Sequence, residues 1–404
     1  MPTIPNPERV RRAVPRGLSH TGPVLFSYGF RPFFLGAGLW AVAAMALWIA
    51  AITGHLDLAG AYGAHNWHAH EMLFGFAPAA LAGFLLTAVP NWTGRLPVSG
   101  WPLAFLFGLW CAGRVALLAT DIIGVSAAAA IDGLFLATLL AICTREIVAG
   151  RKWKDLKVIA GLLALTLANG FYHVAAINGS GDHVAIRLAV AAYVVLVMIV
   201  GGRILPSFTR NWLAKSGRTD FPVPYNGFDT VAILTGVGAL AAWTVAPEHP
   251  GTAGLGLAVA VIHCVRLHRW QGWATRPEKL LLILHVAYAF VPLGFLAIGL
   301  HALGLIEERS VLHLLSVGAI TGMMLAVMTR ASLGHTGRPL LASRMTVAAY
   351  GALILCALLR PLGEVFPDVA PVIYAVSGLL WIAAFGVFSL EYGPILVRTR
   401  RTPL

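Results

Sequence analysis

Trp67-His68-Ala69-His70-Glu71-Met72-Leu73-Phe74-Gly75-Phe76 opens an apolar run that continues to Val89-Pro90-Asn91-Trp92-Thr93-Gly94-Arg95. Two imidazoles and a carboxylate stand at the mouth of a segment that otherwise reads as lipid-soluble. A charged side chain at a bilayer centre costs roughly 2.5–3.5 kcal/mol on insertion scales, so such residues are functional candidates by default. A second stretch repeats the layout: His313 opens an apolar run containing Gly318 and ending in Thr336-Gly337-Arg338. His70 to His313, Gly75 to Gly318 and Thr93-Gly94-Arg95 to Thr336-Gly337-Arg338 are all 243 residues apart. The chain reads as a membrane bundle organised around these two histidine-headed helices.

Composition supports that reading. Of 404 residues, 58% are hydrophobic and 11% charged, and the mean hydropathy is +0.78. A soluble domain carries about 25% charged residues, so this chain cannot cover a water-facing surface and its solvent is a lipid bilayer. At ~20 residues per span there is room for about twelve helices. The apolar runs fall at 33–53, 68–90, 101–120, 122–148, 157–177, 184–206, 228–246, 252–269, 279–302, 310–330, 345–362 and 369–391. Basic residues occupy alternate loops: Arg95; Arg151, Lys152, Lys154 and Lys157; Arg210, Lys215 and Arg218; Arg269, Arg276 and Lys279; Arg330, Arg338 and Arg344; and the C-terminal Arg398, Arg400 and Arg401. The intervening loops are poor in Lys and Arg. This asymmetry predicts an all-α polytopic bundle with both termini cytoplasmic. It also assigns the net charge of +12 to topology rather than to a nucleic-acid partner. Residues 1–30, with Arg9, Arg11, Arg12 and Arg16, read as a cytoplasmic tail without the apolar core of a secretory signal. Residues 31–404 read as one transmembrane domain. Cys111, Cys143, Cys264 and Cys356 all lie in apolar runs without CxxC spacing, which predicts free thiols.

The 243-residue copy joins the second span to the tenth. A half-period appears in Asn91-Trp92 with Asn211-Trp212, 120 apart, and in Cys143 and Arg145 with Cys264 and Arg266, 121 apart. Three units of four helices, near 31–150, 151–275 and 276–395, account for these matches. The competing reading is coincidence among Leu-, Ala- and Gly-rich segments.

Topology gives each histidine a depth. His68, His70, His173 and His313 share the outer half of the bilayer, on three helices. Neutral imidazole suits Fe, Cu and Zn, and an axial histidine is a standard haem ligand. His70 and His313, related by the repeat, are the expected haem pair. His68 lies two residues from His70, about 200° around a helix, so the two face different sides, and a His68–His313 pair stays open. His263 and His285, in the inner half, read as interhelical hydrogen-bond donors; for His173 ligand and structural roles remain open. Glu71 either orients an imidazole or complements the start of a helix, the second being favoured. Arg114 and Asp132, on the third and fourth spans, are expected to pair; the sharper alternative has Arg114 clamping haem propionates. Arg203 reads as snorkelling to the interface, and Arg31 as part of an interfacial aromatic belt. No Walker A loop, HExxH or CxxCH motif occurs.

Phe30-Arg31-Pro32-Phe33-Phe34, His68-Ala69-His70-Glu71-Met72 with Gly75-Phe76, Asn91-Trp92-Thr93-Gly94-Arg95, Gly202-Arg203 and Thr329-Arg330 through Gly334-His335-Thr336-Gly337-Arg338-Pro339-Leu340 together resemble the NnrS proteins of denitrifying and other bacteria. The resemblance implies a polytopic protein of the bacterial cytoplasmic membrane, associated with the response to nitric oxide and containing haem and copper. It carries over no ligand set. A more distant likeness joins the twelve-helix plan to haem–copper oxidases and nitric oxide reductases, whose low-spin haem is held by histidines on the second and tenth helices. His70 and His313 occupy those ordinals. The seventh span here lacks that superfamily's histidine pair and the tenth has a single histidine, so a copied binuclear centre is not expected. His68 and His173 are the candidates for copper. The implied function is nitric oxide binding or turnover at a metal, or electron transfer between quinol and a metal; as an enzyme it would be an oxidoreductase. The alternatives are a haem or metal transporter or chaperone, and a structural partner of a respiratory complex.

Overall fold

In a computed structural model, which describes residues 22–181 and 183–401, the apolar runs form twelve helices long and apolar enough to cross a membrane. They are α1 (Phe30–Ile52), α2 (Ala64–Thr93), α3 (Trp101–Leu118), α4 (Val125–Ala149), α5 (Trp153–Asn178), α6 (His183–Lys215), α7 (Gly227–Val245), α8 (Pro250–His268), α9 (Lys279–Ala302), α10 (Glu308–His335), α11 (Arg344–Val365) and α12 (Pro367–Val397). Among the described residues there is no strand. The tail arginines and His20 lie outside the described residues. An even number of spans leaves the two chain ends on one face, as the loop charges require.

Local chemistry sets the boundaries. Asn226 and Asp229 form a reciprocal cap at the start of α7, Ser343 caps α11 through the Thr346 amide at 3.0 Å, and Glu278 caps α9 through Leu280. These side chains satisfy amides that a helix start leaves unpaired. Gly94 ends α2 in the left-handed conformation (φ 71°) that glycine adopts without steric cost.

Four spans are mostly buried by their neighbours: α2 (83%), α6 (72%), α9 (72%) and α10 (67%), against 28–50% for the others. α2, α6 and α10 touch one another at the centre. Around them run α11, α12 and α1; α3, α4 and α5; and α7, α8 and α9, each in contact with the next in its row. Lipid tails are as apolar as leucine, so close packing rather than hydrophobicity holds such helices together. Gly256 on α8 shows the mechanism: a β-carbon there would lie 2.9 Å from the Gly299 nitrogen and 3.0 Å from the Phe295 carbonyl of α9.

The two central histidine-headed helices share an irregularity. In α2 the α-helical turns give way to a π-helical segment at Glu71–Phe76, and in α10 at Leu314–Thr321. The two segments begin 243 residues apart, the register of the sequence repeat. Such widened turns concentrate at functional sites. In α2, carbonyls of the segment take donors from neighbouring helices: Trp110 Nε1 donates to Gly75 O at 2.9 Å and the Tyr193 hydroxyl to Leu73 O at 2.9 Å.

Two arginines near helix ends have specific partners. Arg203 pairs with Asp155 at 2.7 Å, because α5 brings a carboxylate within reach. Arg31 is buried beside Phe30, and its guanidinium donates to the carbonyls of Leu396 (2.6 Å) and Arg398 (2.8 Å) at the end of α12. Cys111, Cys143, Cys264 and Cys356 are free.

Because the neighbours of Gly256 are backbone atoms, Gly256→Val must push α8 away from α9. Thermal unfolding in detergent is expected to show a loss of about 1–3 kcal/mol, the usual cost of overpacking, whereas Gly254→Val, beside which a β-carbon meets nothing within 4 Å, should leave the transition in place.

Candidate metal centre

Arg114 on α3 is the hub of a buried polar cluster in the outer half of the bundle. One terminal nitrogen donates to Glu71 Oε2 of α2 at 2.6 Å, and the other pairs with Asp132 Oδ1 of α4. Gly75 and Gly113 make room: a β-carbon on Gly75 would strike Arg114 and Glu71, and one on Gly113 would lie 2.8 Å from Asp132 Oδ1. Trp40 Nε1 of α1 also donates to Glu71 Oε2, at 2.7 Å.

The histidines attach to these carboxylates. His70 places Nε2 3.2 Å from Asp132 Oδ2 and 3.0 Å from Asn169 Oδ1, and Nδ1 3.2 Å from Glu71 Oε1. His173 of α5 places Nε2 3.0 Å from the same Asp132 oxygen, while its Nδ1 meets the Tyr62 hydroxyl at 3.2 Å. Asn169 Nδ2 donates to Asp132 Oδ2 at 2.9 Å; Asn169 and His173 are four residues apart and share one face of α5. Tyr62 comes from the segment before α2, which is pinned where Thr120 donates to Ala59 O (2.7 Å) and the Ala61 amide donates to Asp121 (3.0 Å).

His70, Asp132 and His173, on three helices, are all buried and each offers a ligand atom within 4.8 Å of the others. Two histidines and one carboxylate form a donor set that first-row metals accept while keeping open positions. The far nitrogen of each imidazole is held by Glu71 or Tyr62, which is how ligating histidines are oriented. Charge points the same way: among the described residues Glu71 and Asp132 share a single guanidinium, and a bound cation would add a second positive group beside Asp132. The residues therefore fit a metal ion.

Of the residues singled out in the sequence, the structure brings His70, His173 and Arg114 into one cluster. The expected pairing of Arg114 with Asp132 is present. Arg114 spends both terminal nitrogens on protein carboxylates, which leaves no fork for a haem propionate. Glu71 lies seven residues inside α2 and accepts from Trp40 and Arg114, so it orients His70 rather than complementing a helix start. His313 is not part of the cluster: its Nδ1 donates to Arg309 O at 2.7 Å, and its charged neighbours are Arg360, Glu364 and Arg309. His68 turns to the opposite side of α2, stacks on Trp48 with 4.3 Å between ring centroids, and has His313 as an electrostatic neighbour. His68 Nδ1 is buried without a hydrogen-bond partner. His263 and His285 are held by Tyr288 and Ala232 O, and by Thr209, as interhelical hydrogen bonds. Asn169, Tyr62 and Trp40 escaped the sequence reading; only Asn169 carried a signal, its four-residue spacing from His173.

Fold and cluster together define a polytopic membrane protein with a buried site of metal-ligating type. The chain matches the family of NnrS proteins over residues 24–400, nearly its whole length, and belongs to that family. No curated protein is similar enough to supply a named relative.

Arg114→Gln would leave Glu71 and Asp132 buried without their shared cation. Removing one partner of a buried ion pair costs about 3–5 kcal/mol, so the melting transition of the purified protein should fall markedly, and Asp132→Asn in the same chain should recover part of the loss.

Proposed function

We propose that the chain acts in the bacterial response to nitric oxide through a metal held by His70, Asp132 and His173. The observation that carries this reading is the convergence of the three donors on one point, with the second nitrogen of both imidazoles already fixed by hydrogen bonds. A first-row metal held there would supply a Lewis-acidic, redox-active centre. The chain's own residues do the rest. Glu71 and Tyr62 hold the imidazoles in orientation, Arg114 holds Asp132 in place, and the surrounding helices exclude water. Copper is the metal implied by the family likeness, and imidazole suits it.

A haem is a second element of the reading, supported by the unpartnered His68 Nδ1. His68 of α2 and His313 of α10, rather than His70 and His313, are the pair with nitrogens to offer. His313 Nδ1 is engaged by Arg309 O, leaving Nε2 as its ligating atom. A haem held by these residues would supply an electron-transfer centre. The three-unit plan, near 31–150, 151–275 and 276–395, belongs to the same proposal; it is supported by the central position of every fourth span. Transport of haem or metal is the alternative, and predicts ligands that are lost on purification.

The test is metal analysis with optical spectra of the protein purified from metal- and haem-replete cells. Wild type is expected to carry one tightly bound first-row metal, absent from Asp132→Asn and His173→Ala; Tyr62→Phe should weaken it about 10–100-fold, as loss of an orienting partner does. A b-type Soret band should vanish in His68→Ala and persist in His173→Ala. Metal-free wild-type protein would sink the metal reading, and a Soret band indifferent to His68 would sink the haem assignment.

A further inference from the structure

At the face carrying both chain ends, the N-terminal end of α1 and the C-terminal ends of α10 and α12 meet in a corner crowded with arginine. Arg31 ties the end of α12 down through the Leu396 and Arg398 carbonyls. The chain then turns back, and the Arg401 amide donates to Thr336 O at 3.0 Å. Gly337 (φ 71°) permits this approach, since a β-carbon there would run into the Arg401 carbonyl. The fold thereby gathers Arg338, Arg398, Arg400 and Arg401 at one place.

Among the described residues, no carboxylate lies within ion-pair distance of any of the four; the ion pairs of the chain involve other arginines. The nearest electrostatic neighbours of Arg338 are Arg401 and Arg398, and burial together with those like charges holds its pKa below the ordinary arginine range. The two helix C-termini offer roughly half a negative charge each, against four guanidiniums. Among the described residues that balance is unmatched, which leaves room for an anion from outside the chain. The lipid-facing side of α12 continues from this corner: Val397 and Leu390, two turns apart on one face, are 46% and 76% exposed.

We propose that this corner binds an anionic diacyl phospholipid of the inner leaflet, with Arg338, Arg398, Arg400 and Arg401 around its phosphate and an acyl chain along Val397 and Leu390. Guanidinium forks match phosphate oxygens, and basic pockets between spans on the cytoplasmic side suit such headgroups. The site is remote from the histidine cluster and independent of it.

The test is native mass spectrometry of the full chain taken from nanodiscs of phosphatidylcholine alone or mixed with phosphatidylglycerol. Wild type is expected to retain phosphatidylglycerol in preference to phosphatidylcholine. Arg398→Gln/Arg400→Gln/Arg401→Gln should lose that preference, by about fivefold for each arginine removed, while the corresponding lysine triple variant keeps most of it. Arg151→Gln/Lys152→Gln/Lys154→Gln, which removes the same charge from the loop after α4, should bind as wild type, and thermal unfolding should show all three variants folded. Equal loss in the α4-loop variant would overturn the proposal by showing that leaflet charge alone attracts the lipid. Equal retention of phosphatidylcholine would also overturn it, as would displacement of the lipid by inorganic phosphate, which would mark a soluble-anion site.

Discussion

The outer half of the bundle depends on one guanidinium. Arg114 stands between Glu71 and Asp132, and every other member of the cluster reaches it through one of those carboxylates. Ions removed from water lose several kcal/mol of solvation each, which only close, well-directed partners restore. This explains why glycine stands at positions 75 and 113: any larger residue would occupy the space through which the pairs make contact. The backbone of α2 and α3 is thus fitted to the charge, and the histidines are held by what the charge fixes.

A second buried arginine shows what the first cluster has that an ordinary ion pair lacks. Arg266 of α8 pairs with Asp229 at 3.0 Å and donates to Met198 O and the Tyr288 hydroxyl, while His263 beside it bonds Tyr288 and Ala232 O. There a single carboxylate, Asp229, meets the fully buried Arg266 at 3.0 Å and Arg269 at 3.7 Å, and the histidine makes no hydrogen bond to a carboxylate. The arrangement serves to lock α7, α8 and α9 together. In the outer cluster a second carboxylate and a second histidine are added, and both carboxylates share the one guanidinium.

Much of this was legible in the sequence, and the reasons differ by level. The spans were readable because a bilayer imposes a minimum length of apolar chain, and the pairing of Arg114 with Asp132 because intramembrane charges have nowhere else to go. The opposite facing of His68 and His70 followed from helix geometry. The partner of each histidine did not, because it depends on how α2 is rotated against α5 and α10, which periodicity does not encode. Trp40, Tyr62 and Asn169 were hidden because neutral polar residues are common at helix interfaces and their spacing singles out no partner. The widened turns left no trace, since an extra residue in a largely apolar stretch changes no pattern.

That extra residue has a consequence for how such chains diverge. A π-helical turn accommodates one more residue than the α-helix around it, so the part of α2 before Glu71 is set about 100° out of phase with the part after Phe76. A single-residue deletion inside Glu71–Phe76 would restore regular α-helical turns and keep both flanks in place, whereas drawing all the present residues into a regular α-helix would swing His68 and His70 about 100° around the axis relative to Gly83 and the central packing below. Because α10 carries its own insertion at the matching place, the two helices keep a common count only while both insertions are retained. Comparison of distant relatives with an ungapped helix would therefore misplace every residue on one side of the turn.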